Sequence, residues 1–136
     1  MRANLVVLLC VLGFSIGVSA QSSIENNNVF YLNVFINANK TIYVEEEKTL
    51  FQDVQNQVTK MLRKQPFKVD QQIIFRIFGD NDLDMGYIID VNAEMRKAIQ
   101  ENIKTERYLL EAKKLNIDGQ NWFQKIDLKA LKKREL

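Results

Sequence analysis

Ile-Ile-Phe-Arg-Ile-Phe-Gly-Asp-Asn-Asp-Leu-Asp-Met-Gly-Tyr-Ile-Ile-Asp-Val-Asn-Ala-Glu-Met-Arg-Lys-Ala, residues 73 to 98, changes its periodicity twice. Ile73 to Phe78 is β-branched and aromatic, which predicts a strand buried on at least one face. Gly79 to Asp84 is a run of turn residues. From Ile88 the apolar positions Ile88, Val91, Met95 and Ile99 recur three and four apart, the stripe of an amphipathic helix. The reading is strand, acidic turn, helix.

Upstream, Val29 to Ile36 alternates, with Phe30, Leu32, Val34 and Ile36 on one side and Tyr31, Asn33 and Phe35 on the other. Asn37 to Lys40 reads as a turn, and Thr41 to Val44 returns as a second strand, closing a hairpin. Glu45-Glu46-Glu47-Lys48 is expected to be a solvated loop. Thr49 and Gln52 have capping-box spacing, so a helix is expected to open at Thr49. Its stripe is Leu50, Phe51, Val54, Val58, Met61 and Leu62, and Pro66 ends it. A helix between the second and third strands implies a parallel pair if those strands are neighbours. The order predicts an α+β fold: a two-layer sandwich with a small mixed sheet and both helices on one face.

Downstream, Ile99 to Leu115 reads as a continuation of the second helix through Ile103, Leu109, Leu110 and Ala112. Gly119 breaks the pattern, Trp122 to Leu128 reads as a late strand or a docking segment, and Lys129 to Leu136 as a basic tail.

The first residues have the layout of an export signal. Arg2 supplies a positive start, Leu5 to Val18 an apolar core of 14 residues, and Val18-Ser19-Ala20 a small-residue cleavage site before Gln21. That core is shorter than the roughly 20 residues a membrane-spanning helix needs. The expected organisation is a signal peptide over 1–20, a flexible linker over 21–28, a domain over 29–115 and a C-terminal extension over 116–136.

Inventory excludes several chemistries. The chain of 136 residues has no His, and its single Cys, Cys10, lies in the leader. After the leader the only serines are Ser22 and Ser23. Serine, cysteine and His-dependent catalysis and Cys/His zinc sites are thereby ruled out, and no cofactor is expected. A net charge of +2 with interspersed signs implies no nucleic-acid partner.

Asp80, Asp82 and Asp84 alternate just before a helix. A calcium loop starting at Asp80 wants Gly at its sixth position and Glu at its twelfth, where Met85 and Val91 stand. The pattern fails, no metal is expected, and the three carboxylates read as caps for the helix N-terminus. With both helices on one sheet face, Tyr31, Phe35, Tyr43, Ile74 and Phe78 are left on the other. Such a patch predicts an interaction surface for a partner, a second copy or a bound peptide. The competing expectation is that the segment around Trp122 folds over it. Asn39-Lys40-Thr41 is a glycosylation triplet relevant only in a eukaryotic host. Lys133-Arg134-Glu135-Leu136 is similar to an endoplasmic-reticulum retrieval signal, with Arg134 in place of Asp, and is expected to be an ordinary basic helix end.

The run from Phe75 to Ala98 resembles the periplasmic half of the ExbD/TolR biopolymer-transport family. That family has a strand ending in a small residue and Asp, a short loop with Gly near its end, and a helix of the type Val-Val-x-Val-x-x-x-Leu-Arg-x-Ala. The matching positions are Asp80, Asp82, Gly86, Ile88, Ile89, Val91, Met95, Arg96 and Ala98, without a gap. The upstream hairpin and helix extend the resemblance to roughly Val29. It implies an exported, non-enzymatic periplasmic domain, a homodimer, which serves proton-driven transport or envelope maintenance through motor-type membrane proteins or peptidoglycan. Two features depart from the family. Met1 to Ala20 contains no Asp or Glu for a proton-coupling step, which implies an accessory or soluble relative. The helical reading of Ile99 to Leu115 also leaves no final core strand. The alternative expectation is a small secreted or endoplasmic-reticulum luminal binding module.

Overall fold

The computed structural model describes residues 28–66 and 68–136. The expected leader and its cleavage site lie outside them. The fold is a mixed six-stranded sheet with two α-helices on one face. Strand β1 (Val29–Ile36) and β2 (Ile42–Val44) form the expected antiparallel hairpin. Its turn is built by Asn37, whose Oδ1 accepts from the backbone N–H groups of Asn39 and Thr41, with Lys40 in the left-handed region.

The charged run after β2 is not a plain loop. Glu45 takes a left-handed conformation, the chain turns, and Glu47–Thr49 pairs with β2 as the edge strand β3. Thr49 is therefore used in the sheet, where its hydroxyl donates to the Glu47 carbonyl, and the expected capping box does not form. A single 3-10 turn, Phe51–Asp53, leads into helix α1, Val54–Arg63. Val54 and Val58 are its buried positions, with Met61 and Leu62 packed alongside.

Strand β4 (Gln72–Asp80) pairs in parallel with β1, from Val29↔Gln72 to Ile36↔Gly79. It lies beside β1 rather than beside β2, because β3 already occupies the outer edge of β2. Helix α2 then runs from Met85 to Arg96 and buries Ile88, Val91 and Met95.

The helix does not continue past Arg96 into the next segment. Lys104–Leu110 is strand β5, parallel to β4. The sequence admits both periods here: Ile103, Leu109, Leu110 and Ala112 have helical spacing, but residues 104 to 110 also alternate across a pleat. Thr105 turns toward α2, where its hydroxyl bonds Asn92, while Glu106, Tyr108 and Leu110 line the opposite face. Parallel bonds along β4 and burial on both faces select the strand. The last strand, β6 (Lys133–Glu135), pairs antiparallel with β5, so the terminal residues are a sheet edge and not a helix end.

The sheet order is β3-β2-β1-β4-β5-β6. Leu32, Val34, Ile36, Phe75 and Ile77 face the two helices and form the larger core with Val54, Val58, Ile88, Val91 and Met95. Both outer strands are three residues long, and Glu47, Lys48, Lys133, Arg134 and Glu135 make them charged, which guards the edges against further pairing.

Candidate functional site

The acidic turn sits where β4 and β5 end. Asp84 is the N-cap of α2, its carboxylate accepting from the Gly86 N–H at 3.0 Å, as the capping reading expects. Asp80 is 5% exposed and works differently. One of its oxygens accepts from the Asp82 N–H at 2.9 Å and the other from the Ala112 N–H at 3.3 Å. It therefore fastens the end of β4 to the chain leaving β5. Asp82 contributes its backbone to this turn, and its side chain is exposed. Asp80, Asp82, Glu111, Lys113 and Lys114 border an open depression of about 390 Å³. Glu111 is ion-paired to Lys114 across it. Among the described residues no three His, Cys, Asp or Glu side chains are grouped to hold a metal ion.

The second sheet face has two halves. Its lower half is ionic. Glu106, 5% exposed, accepts from the Tyr108 hydroxyl at 3.0 Å and lies 3.3 Å from Lys133 and 3.5 Å from Arg76. Arg76 meets Glu106 as an ion pair without a hydrogen bond from its Nε, and its guanidinium stacks 3.3 Å from the centre of the Tyr31 ring. Lys104 adds a 2.6 Å pair to Glu135. The cluster links β1, β4, β5 and β6. Burial and the Glu106 carboxylate push the Tyr108 hydroxyl up to about 12, so it remains a donor throughout the physiological range. One residue signals this cluster in the sequence: Arg76 interrupts an otherwise apolar run, and a charge in a buried strand needs a partner.

The upper half is aromatic and is covered. Of the five residues expected to form an open interaction surface, Phe35 and Phe78 are fully buried, Ile74 is 6% exposed, and Tyr31 and Tyr43 are half-buried. The correction has a plain cause. Residues 111–132 cross this face as a strap, and Trp122, fully buried, drops between Phe35 and Phe78 with ring centres at 5.6 and 5.2 Å. Phe123 packs edge-on against Phe78, and Tyr108 stacks on its other side at 4.9 Å. The segment around Trp122 is thus a docking segment made of two 3-10 turns and not a strand.

Two of the three glutamates after β2, Glu45 and Glu46, supply the polar rim of this slot, while the Glu47 carboxylate pairs with Gln57 and Lys60 of α1. The Trp122 indole N–H donates to the Glu45 carbonyl at 2.6 Å, and the Asn121 N–H to the Glu46 carboxylate at 2.9 Å. The Glu45 carboxylate turns inward to accept from the Asn33 N–H at 2.7 Å, and burial raises its pKa above the ordinary carboxylate value. Tyr43 closes one side, donating its hydroxyl to the Asp118 carbonyl at 3.4 Å. Gly119 is required there. It has φ +119°, and a Cβ on it would stand 2.1 Å from the Tyr43 ring. In one dimension Glu45 and Glu46 lie 77 and 75 residues before their partners Trp122 and Asn121, and no local period relates them.

No family model, no curated protein and no solved structure matches this chain.

Proposed function

We propose that this chain is an exported, non-enzymatic domain of the ExbD/TolR kind that acts through protein–protein or cell-wall contacts. The observation that carries the reading is the order of elements: hairpin, helix, strand, acidic turn, helix, strand, with β1, β4 and β5 parallel and both helices on one face. The final core strand expected of that family is supplied by β5, where the sequence suggested helix. Asp80, Asp82 and Asp84 take structural or exposed positions in the acidic turn, which agrees with a scaffold more than with a hydrolytic pair. A homodimer on this reading forms away from Phe35 and Phe78, which are occupied internally.

The test is export followed by partner capture. The full chain, expressed with its leader, is expected in the periplasm with Gln21 as its first residue. In-cell crosslinking should join it to motor-type membrane proteins, or it should sediment with purified peptidoglycan. A chain that keeps Met1 or stays inside overturns export, and one that meets neither partner overturns the transport reading. The second reading is a secreted binding module without that relation. It is favoured by one observation, an aromatic slot filled by a segment of the same chain.

A further inference from the structure

The strap over the second sheet face is docked rather than woven in. Its backbone-to-backbone hydrogen bonds stay within itself among the described residues, Leu115 to Glu111, Ile117 to Ala112, Lys125 to Trp122 and Leu131 to Leu128, and at its base the Ala112 N–H donates to the Asp80 carboxylate. Between residues 113 and 131, the hydrogen bonds reaching the domain are those of the Trp122 indole, the Asn121 N–H and the Asp118 carbonyl. Both ends of the strap sit in one strand pair, β5 with β6. Releasing Trp122 therefore breaks no sheet pairing and leaves the strap tethered over its slot. Asn116, Gly119 and Asn121 all hold positive φ, so backbone turning is concentrated just before the anchor.

We propose that the slot between Phe35 and Phe78 is a peptide-binding site, and that the strap is a hinged flap occupying it in cis. The slot offers stacked rings for an indole, the Glu45 carbonyl for its N–H and the Glu46 carboxylate for a backbone N–H. It fits a segment of another polypeptide bearing Trp followed by a second aromatic residue, the chemistry of Trp122-Phe123 itself. A tethered competitor keeps the site closed until such a partner is present at sufficient concentration. The partner's biological identity rests on the binding function proposed above, whereas the existence of the slot rests on its geometry alone.

Trp122 is the only Trp, which makes the test direct. The full-length Trp122→Ala chain, checked for folding by circular dichroism, is titrated against a synthetic peptide of residues 116–131. Expected is a saturable blue shift of the peptide's Trp emission, with binding to the unsubstituted chain weaker by at least ~100-fold because its slot is filled. A folded variant that gives no shift overturns the proposal. Hydrogen exchange on the unsubstituted chain decides independently of any variant. Amides of residues 113–131 should open well before those of β1 and β4, and exchange only together with them makes the strap an ordinary core element, which also overturns it. A concentration-dependent dimer of the unsubstituted chain that is lost in Trp122→Ala would replace the other polypeptide by a second copy and overturn that choice of occupant. Failure of the peptide experiment leaves the export and partner-capture results untouched, and the reverse also holds.

Discussion

The two faces of the sheet are covered by different means. One is closed by α1 and α2, whose buried residues recur with the helix period and whose backbones bond internally between their end turns. The other is closed by an aperiodic strap that presents one fully buried indole. Helical cover spreads the apolar contact over many medium-sized side chains. Strap cover centres on Trp122, the one large strap side chain that is fully buried, with Phe123, Ile117, Ile126, Leu128 and Leu131 packed around it half-exposed. The lesson is that a sheet face can be sealed by an anchor as well as by a stripe, and that the two should respond differently to damage.

The largest expected effect is on the helix face. Phe75, fully buried, packs in the core beneath both helices, and Phe75→Ala should destabilise by about 3–5 kcal/mol in urea unfolding, from lost transfer energy plus a cavity. Trp122→Ala removes an equally buried and larger side chain, yet we expect only about 2–3 kcal/mol, because a strap that can detach limits what its loss transmits to the rest. Equal losses would erase the contrast between the faces.

Gly119→Ala sharpens the comparison without removing an aromatic ring. Its Cβ collides with Tyr43 and its φ of +119° is strained for any L side chain. A loss of about 1–3 kcal/mol is expected, together with a red shift of Trp122 emission as the strap lifts. A destabilised variant with unchanged emission would place the damage elsewhere.

At the acidic turn, Asp84→Ala should cost about 0.5–2 kcal/mol, the loss of one N-cap bond, and should act through α2 on the helix face alone. Calorimetry checks the size and Trp122 emission checks the location.

Glu45→Gln should have the smallest effect and the opposite sign. The folded-state pKa of Glu45 is raised, so the group favours the folded state below its unfolded value, and that contribution is lost as pH rises through the folded value. At neutral pH the buried carboxylate opposes folding, and Gln keeps an acceptor for the Asn33 N–H without the charge. The variant should melt slightly higher at pH 7, and the difference from the unsubstituted chain should disappear on acidification. A lower melting temperature at pH 7 would mean the charge-assisted bond to Asn33 outweighs desolvation.

The sequence by itself determined the hairpin, the strand Ile73 to Phe78, the stripe of α2, the stripe of α1 from Val54 to Leu62 (Leu50 and Phe51, expected in it, precede the helix and are exposed), the cap at Asp84 and the class of fold. Each of these is a local periodicity or a local turn chemistry, so neighbouring residues carry the information. Three things were decided only in three dimensions. Residues 104 to 110 satisfy two periods at once, and the open edge of β4 chose the strand. Thr49 has the spacing of a cap, but pairing with Ile42 placed it in β3. The second face could be left for a partner or covered from within, and its cover depends on Trp122 meeting Phe35, Phe78 and the Glu45 carbonyl from far along the chain. Periodicity records which side of an element is apolar. Which surface then buries that side is a matter of shape and distance, settled when the chain closes on itself.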